Sequence, residues 1–148
     1  GVQKTDKFTF RSSLGTSVVY NWKITNGSSS FYEIQDCMKE FREVRPYFYE
    51  DYYPLTGSGD ITGDNIWMAY QLYRPSDKSG FVVAFRREAC PDKTHTVKLS
   101  GLDPDAVYSV TNKDTGETVS KSGRELAEGF VLTLDQPRSS LLLKYQAE

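Results

Sequence analysis

The sequence is poor in the two residue types on which small scaffolds and metal sites most often depend. It contains two cysteines, Cys37 and Cys90, and one histidine, His95. Two cysteines cannot form a disulfide scaffold, and no second residue of the kind that binds metals lies close to either of them in the sequence. A single histidine excludes a histidine-based metal cluster by counting. We therefore expect ordinary thiols, no metal and no other cofactor.

Long apolar runs and concentrated charge of one sign are also missing. No stretch approaches the roughly 20 apolar residues of a membrane span, and no apolar segment follows the N-terminus as a signal peptide would require. The 18 basic and 20 acidic residues are mixed along the chain and give a net charge of −2. No basic run reaches the density that nucleic acid or an anionic membrane requires. We expect neither nucleic acid nor a membrane as a partner.

Aromatic residues are abundant, at 14% of the chain, with ten tyrosines and eight phenylalanines. This aromatic content, together with frequent threonine and valine, favours β structure. Exposed rings could stack on the apolar faces of sugars, whereas buried rings would fill a β core. Composition alone leaves both interpretations open.

The first part of the chain has an α/β character. A β-branched and aromatic run at Thr16–Thr25 predicts a strand. Ser30 followed by Glu33 forms a predicted capping box, apolar residues then recur with helical spacing, and Pro46 ends the pattern, so we place a helix over Ser30–Arg45. Cys37 falls inside this helix.

From residue 65 onward the pattern becomes all-β. The aromatic and acidic segment Tyr47–Thr56 is too irregular for a helix and too acidic for a core strand, and the glycine-rich stretch Gly57–Asp64 predicts a loop. A single helical turn is predicted at Ser122–Glu128. Seven short strands separated by turn signals follow the loop, at Ile66–Tyr73, Phe81–Arg87, His95–Leu99, Val107–Asn112, Glu117–Ser120, Phe130–Leu134 and Ser140–Tyr145.

This order predicts a mainly β fold, an antiparallel β-sandwich of Greek-key type with one N-terminal strand–helix segment packed on it. We expect two parts, residues 1–56 with the strand and helix and residues 57–148 with the sandwich. The apolar face of the helix, which includes Ile34, Met38 and Phe41, needs cover. Burying three such side chains is worth roughly 5–8 kcal/mol. We therefore expect the helix to dock on the sheet or at a dimer interface.

Candidate catalytic groups are few. Most aspartates lie in predicted turns, where they bond to the local backbone. Glu50 and Asp51 form the one acidic pair among aromatics, but adjacent side chains point in different directions and do not make a catalytic pair. A Ser-His-Asp arrangement would have to include His95, and the serines at Ser12–Ser13 and Ser28–Ser30 have no histidine near them in the sequence. We predict no catalytic residue in this chain.

The remaining candidates are aromatic. Trp22, the segment Tyr47–Tyr53 and Trp67 could stack on sugar rings, or they could pack the helical part against the sandwich. Solvent exposure of Trp22, Tyr52, Tyr53 and Trp67 would separate these two interpretations.

Several segments in fixed order resemble the closing part of bacterial clan D glycoside hydrolases, similar to the α-galactosidases (melibiases) of glycoside hydrolase family 36. The match covers about residues 11–145, through Arg11–Trp22, Phe41–Phe48, Asp51–Thr56, Trp67–Pro75, Gly80–Arg87, Gly101–Tyr108, Asp114–Glu117 and Ser122–Leu126.

The resemblance implies a (β/α)₈ barrel followed by an antiparallel sandwich. Thr16–Thr25 and Ser30–Arg45 would then be the last strand–helix unit of the barrel, with Asn21 and Trp22 near the rim of the sugar pocket, because barrel active sites lie at the C-terminal ends of the strands. The family's two catalytic aspartates lie on earlier barrel strands, and no segment here matches them.

The resemblance therefore implies a non-catalytic accessory domain that supports the catalytic barrel of a larger α-galactosidase-like enzyme. The alternative is an independent carbohydrate-binding module that takes galactosides or other glycans, with Asn21, Trp22, Tyr52, Tyr53 and Trp67 as candidate contacts. The compartment cannot be read from the residues, and the resemblance alone raises the expectation of a periplasmic or secreted bacterial enzyme.

Overall fold

The protein folds as an antiparallel β-sandwich with two helices packed on one outer face. A computed structural model describes residues 6–17, 30–57 and 63–148. The order of helices is α1 (Lys7–Ser12), α2 (Ser30–Val44), a 3₁₀ helix (Arg45–Tyr49) and α3 (Gly123–Glu128). The strands are β1 (Asp51–Pro54), β2 (Trp67–Arg74), β3 (Ser79–Arg86), β4 (Thr94–Val97), β5 (Val107–Asn112), β6 (Thr118–Ser122), β7 (Phe130–Thr133) and β8 (Ser139–Ala147).

Six strands form the larger sheet in the order β1-β2-β3-β8-β5-β6, and β4 pairs with β7 in a second sheet of two strands. All of the pairs are antiparallel. The last strand, β8, lies in the middle of the sheet between β3 and β5, and the chain crosses to the smaller sheet at β4 and again at β7. The predicted fold class, a mainly β sandwich, is confirmed.

The larger sheet is covered on both faces. One face packs against the two-stranded sheet and carries the main core, which includes Trp67, Tyr108, Leu132 and Tyr145. The other face packs against the helices through a second cluster that includes Leu72, Phe81 and Leu142. Because both faces are covered, every residue of β3 is buried, as expected for a central strand of this kind.

The predicted helix is confirmed as α2, with its end one residue earlier, at Val44. Val44 belongs to the cluster on the sheet, whereas Cys37 and Phe41 are buried in a third cluster against Phe10 of α1. The expectation that the helix docks on the sheet is confirmed, but much of its apolar face is covered by α1. Helix α1 was not predicted, although Asp6, whose carboxylate accepts from the Thr9 amide at 2.8 Å, is a regular N-cap.

The prediction for Tyr47–Thr56 was wrong, because this segment contains regular structure that the sequence did not predict. Tyr47 and Tyr49 lie in the 3₁₀ helix, and Asp51–Pro54 is β1, the edge strand paired with β2. An edge strand has one unpaired side and tolerates acidic residues, so its acidity was a poor argument against a strand. The predicted strand at Thr16–Thr25 lies almost wholly outside the described residues; Thr16 and Ser17 are not in a strand.

The remaining strand predictions are confirmed with shifts of one or two residues at their ends. The predicted turn at Ser122–Glu128 is α3, and it begins with a full capping box between Ser122 and Glu125. The division into 1–56 and 57–148 stays a prediction. Among the described helices, none combines the length and apolar character that crossing a bilayer requires.

Candidate functional site

The aromatic segment of the 3₁₀ helix and β1 separates into buried and exposed rings. Tyr47 is buried in the second cluster, between the larger sheet and the helices, and its hydroxyl lies 2.7 Å from Ser79 Oγ. The Arg74 guanidinium lies over the Tyr47 ring, 4.3 Å from its centroid, and donates to the Tyr47 hydroxyl at 2.9 Å. Tyr47 is therefore a structural residue that fastens the 3₁₀ helix to the β2–β3 hairpin.

Tyr52 is the predicted sugar-contact residue that the structure leaves most accessible, with 57% of its surface exposed. Its position in β1 pairs with Leu72, so its side chain lies on the helix side of the sheet. The ring packs on Tyr70 of β2 at 5.5 Å between centroids, and Phe48 packs on the same Tyr70 at 6.1 Å. Tyr49, three residues before Tyr52, is 67% exposed. The three contacting rings of Phe48, Tyr52 and Tyr70 form an aromatic surface beside β1.

Tyr70 contacts both of the other rings of this surface, Phe48 and Tyr52. Burial of its phenol raises the pKa well above that of an ordinary tyrosine, and the nearby Tyr52 and Glu40 act in the same direction. The hydroxyl therefore stays protonated at any physiological pH.

Tyr53 and Trp67 lie on the other side of the same strands and belong to the main core. Tyr53 is half-buried and reaches toward Gly101, where an added Cβ would lie 2.6 Å from the Tyr53 hydroxyl. Trp67 is 5% exposed; its Nε1 donates to the Asp92 carbonyl at 2.8 Å and its ring stacks on His95 at 5.9 Å. In this structure neither ring presents a free face comparable to that of Tyr52.

Two further candidates, Asn21 and Trp22, lie outside the described residues. The exposure criterion set by the sequence therefore applies to three of the four aromatics. Tyr52 is exposed, Tyr53 is half-buried and Trp67 is buried, and their assignment as sugar contacts stays a prediction.

A buried ion cluster, which sequence reasoning missed, joins the helices to the sheet. Arg11 of α1 is 1% exposed and forms paired hydrogen bonds with Glu40 of α2 and with Asp114 in the β5–β6 turn, at 2.7–3.1 Å. It also donates to the backbone and side-chain oxygens of Ser140. The sequence signal was weak, because the three charged residues lie far apart along the chain.

In this cluster the hydrogen bonds and opposite charges outweigh the cost of burial, so Arg11 and Asp114 are held in their charged forms. Burial alone would disfavour the charged form of Arg11, but the hydrogen bonds to Asp114 and Glu40 outweigh it and raise the pKa above that of a free guanidinium. Burial would likewise raise the pKa of Asp114, but the bonds from Arg11 and Lys7 outweigh it and lower that pKa. Bidentate guanidinium–carboxylate pairs of this kind are the strong form of a salt bridge.

Carboxylates elsewhere in the described residues are also held in the ionised state. The pKa of Asp77 is lowered to about 2 by hydrogen bonds from Arg74 and Ser79. Glu43 accepts from Lys113 and Lys144, and these bonds outweigh its burial and lower its pKa. Where a carboxyl pKa in the described part of the chain departs from its ordinary value, it is lowered.

His, Cys, Asp and Glu side chains are the protein groups that most often bind metal ions. No group of three or more such side chains converges within the described residues. Cys37 and Cys90 are both buried and free, and burial raises the pKa of the Cys37 thiol, so it is a poor nucleophile.

The overall fold matches portions of solved α-galactosidases. A family 36 α-galactosidase from Geobacillus stearothermophilus, solved with 1-deoxygalactonojirimycin, superposes with a TM-score of 0.64 over 85% of this chain and 17% of its own, at 18% identity. The α-galactosidase from Lactobacillus brevis gives a TM-score of 0.65 over 87% and 18%, at 16% identity. The galactosidase domain of an α-galactosidase–sucrose kinase gives 0.62 over 84% and 17%, at 20% identity.

The chain shares its fold with part of these enzymes. It spans about a sixth of their length, 17–18% of each. The resemblance to family 36 that the sequence motifs indicated is therefore confirmed at the level of the fold. No family model matches the sequence, and no curated protein matches it.

Proposed function

We propose that this chain is a non-catalytic accessory domain of a larger glycoside hydrolase similar to the α-galactosidases, in which it supports a catalytic (β/α)₈ barrel. The proposal rests on how much of each chain the fold match covers. The superposition covers 85% of this chain but 17% of the family 36 enzyme. Such an imbalance is what a single domain of a multidomain enzyme would give.

The state of the carboxyl groups supports the non-catalytic part of the proposal. A glycosidase needs one carboxyl whose pKa is raised, so that it can protonate the leaving oxygen, facing a second carboxylate. In the described residues the perturbed carboxyl groups have lowered pKa values and are bound by cations or backbone amides, as Asp77 and Asp114 are. These groups suit ion pairing and are poor general acids.

The helices support a role next to the barrel. Under the proposal, α1 and α2 belong to the end of the barrel, and residues 57–148 form the sandwich together with its edge strand β1. Arg11 then connects the two parts, because its guanidinium bridges Glu40 in α2 and Asp114 in the β5–β6 turn. The function of the domain would be to hold the last helices of the barrel in place.

The test is to assay two proteins. The chain alone, incubated with an aryl α-galactoside, is expected to give no turnover above buffer. In the full-length protein that the gene encodes, deletion of residues 57–148 is expected to remove activity or shorten its half-life on heating. Turnover by the chain alone that is abolished by Glu50→Gln or Asp51→Asn would contradict the proposal.

The second candidate function is an independent carbohydrate-binding module. The exposed ring of Tyr52 favours it, since exposed aromatic rings stack on sugars. Asn21 and Trp22 are proposed as further contacts, while Tyr53 and Trp67 would hold the strands that carry the site. Titration of isotope-labelled chain with galactose and α-galactosides tests it. Saturable amide shifts centred on Tyr52 and lost in Tyr52→Ala would establish binding, and their absence at high sugar concentration would exclude it.

A further inference from the structure

The two sheets of the sandwich end together on the side where β6 and β7 lie. Strand β6 is the last in the order β1-β2-β3-β8-β5-β6, and in the described part of the chain β7 pairs with β4 alone. A groove of about 280 Å³ lies between them, and Val110, Val119 and Phe130 are among its lining residues. Each sheet therefore has an open edge beside a partly apolar groove.

The hydrogen bonds of β6 show which of its backbone groups are open. The Asn112 amide of β5 donates to the Glu117 carbonyl at 2.8 Å, just before β6 begins. Bonded residues alternate along an antiparallel ladder, so Val119 also bonds to β5. The backbone amides and carbonyls of Thr118 and Ser120 therefore point away from β5, toward the open edge.

The same alternation applies to β7. The Leu134 amide donates to the Lys93 carbonyl at 2.9 Å, which continues the ladder between β7 and β4. The backbone groups of Val131 and Thr133 therefore point away from β4. Strands β6 and β7 thus each offer two residues with open amides and carbonyls, at the same spacing along the strand.

The edge strand on the opposite side of the larger sheet, β1, is shielded in a way that β6 and β7 are not. The Leu55 amide donates to β2, so the backbone of Tyr52 and Pro54 faces outward. Proline has no amide to donate, and it is one of the residues that shield sheet edges from other chains. Strands β6 and β7 contain no proline and carry two exposed valines, Val119 at 44% and Val131 at 57%.

We propose that this side of the sandwich is an interface with a second copy of the chain, in which β6 of each copy pairs with β7 of the other. A two-fold axis parallel to the strands places the larger sheet of one copy beside the smaller sheet of the other, so both open edges close at once. The inference concerns the chain itself and goes beyond the accessory role proposed above.

The direction of the strands makes this pairing antiparallel. Strands β6 and β8 run the same way, since each is antiparallel to β5. Arg86, whose position pairs with Ser139 at the start of β8, donates to the Leu134 carbonyl just after β7 at 2.9 Å. Strand β7 therefore ends where β8 begins, and it runs opposite to β8 and to β6.

The open backbone groups also fix the register between the two copies. The antiparallel register that uses both open residues of each strand places Ser120 opposite the second copy's Val131 and Thr118 opposite its Thr133. Val119 then lies opposite the second copy's Leu132. Leu132 is buried in the main core, so this register places the half-exposed Val119 against an apolar neighbour on the groove side.

Charge complementarity favours a second copy as the occupant. Lys121 lies on the groove side of β6, two residues after Val119, and an inward-pointing charge on an edge strand opposes pairing unless the incoming strand compensates it. In this register Lys121 is opposite the second copy's Phe130 and diagonal to its Glu128, a separation that long side chains can span. Within the described part of one copy, neither Lys121 nor Glu128 forms a salt bridge.

The first test compares two proline variants of this chain by sedimentation velocity over a range of concentrations. Val131 and Thr96 lie opposite each other in the β4–β7 pair, and their amides point to opposite edges of the smaller sheet. Val131→Pro removes an amide of the proposed interface, and Thr96→Pro is the matched control at the far edge. Circular dichroism establishes that both variants are folded.

The wild-type chain is expected to change from monomer to dimer as its concentration rises. Val131→Pro is expected to raise the Kd of the dimer by at least about tenfold, and Thr96→Pro by less than about twofold. A wild-type chain that stays monomeric would overturn the inference. Equal changes of the Kd in the two folded variants would overturn it as well.

The second test uses charge and does not depend on the proline variants folding. Lys121→Glu and Glu128→Lys are each expected to raise the Kd at least about fivefold, since each dimer would contain two like-charged contacts. An equimolar mixture of the two variant chains is expected to recover the wild-type Kd, because the mixed dimer has opposite charges at both contacts. Contacts within one copy cannot produce recovery on mixing, so its absence would overturn the inference.

The third measurement is amide hydrogen exchange at Val131 and Thr133, which identifies any other occupant of the edge. Exchange at both amides is expected to slow as the dimer forms. If the chain stays monomeric and these amides are protected only in the full-length protein, a strand from elsewhere in that protein covers the edge and the inference is wrong. Deleting 57–148 tests the accessory role separately, because that assay measures hydrolysis and this one measures association.

Discussion

At the scale of single residues, the side chain that determines most about this protein is Arg11. It is 1% exposed and carries a full charge into the boundary between the helices and the sheet. Its partners come from three elements far apart in the sequence: Glu40, Asp114 and Ser140. Removing one partner of a buried ion cluster leaves the others uncompensated, which is more costly than removing the whole cluster.

We predict that Arg11→Met lowers the free energy of unfolding by about 3–5 kcal/mol, because the largely buried Glu40 would lose its cation and Asp114 would keep only the exposed Lys7. Urea unfolding followed by circular dichroism measures it. Lys7→Met is the control, since Lys7 pairs with the same Asp114 but is 56% exposed, and its loss is expected to cost less than about 1 kcal/mol. A triple variant that adds Glu40→Gln and Asp114→Asn to Arg11→Met should recover part of the stability. A cost for Arg11→Met no larger than that for Lys7→Met would contradict this account.

A second prediction at this scale concerns pH. The folded pKa of Asp77 is about 2, below the ordinary value of 3.8, so the group stabilises the fold above its unfolded pKa and the contribution is lost as the pH falls toward 2. Asp77→Asn should therefore be less stable than wild type near neutral pH, and the difference should shrink between pH 4 and pH 2. Because the carboxylate is 41% exposed, solvent screening keeps the effect small. A difference that stays constant over this range would show that Asp77 is not the titrating group.

At the scale of elements, the β2–β3 hairpin is held by close backbone packing. Gly80 in β3 lies directly under the Leu72 carbonyl and the Tyr145 hydroxyl, and any Cβ at this position would overlap both. Tyr145 in turn donates to the Leu72 carbonyl at 2.7 Å and accepts from Gln71. The three central strands are thus joined through a polar contact inside an apolar core.

We predict that Gly80→Ala lowers the free energy of unfolding by about 1–3 kcal/mol, since the backbone of β2 has to move to make room for the added Cβ. Gly57→Ala is the matched control, because a Cβ there meets nothing within 4 Å. Thermal unfolding of both variants is the measurement. Similar melting temperatures for the two would mean that the sheet relaxes around Gly80 more easily than its packing indicates.

The elements also show what the sequence could predict. Strands such as Val107–Asn112 carry alternating patterns between turn residues, and α2 has a clear apolar period, so these were found from local signals. Strand β1 was missed because an edge strand of four residues needs no apolar pattern, and the pairing with β2 that defines it is tertiary. Helix α1 was missed because six residues are too short for periodicity, although Asp6 marks its start.

For the candidate site too, local sequence signals could be predicted and tertiary pairing could not. The density of aromatic residues indicated the segment around Tyr52 as a candidate site, and its contact with sugars stays a prediction. Which rings are exposed depends on strand register, since Tyr52 and Tyr53 point to opposite faces of the sheet once β1 pairs with β2. Trp67 could not be assigned to the core without knowing that the smaller sheet covers it.

At the scale of the whole molecule, the ion cluster at Arg11 connects the helices to the sandwich, and we predict that they unfold together. In a Trp22→Phe background, the fluorescence of Trp67 reports the core and far-UV circular dichroism reports the helices. Coincident urea transitions are expected for this background, and they should still coincide, at a lower urea concentration, after Arg11→Met is added. Separate transitions before that change would mean that the helices and sheet fold as independent units.

The central position of β8 has a consequence for synthesis on the ribosome. Strand β3 is buried on both faces and needs β8, about 60 residues later, as its neighbour in the sheet. While the chain is being made, β3 therefore has one unpaired edge, which in the described structure is covered by β8, Ser139–Ala147. Contacts of such long sequence separation form late and slowly. The nascent chain would be most exposed to aggregation before β8 has emerged from the ribosome, and loss of a few residues from β8 would harm folding far more than loss of the same number from β1.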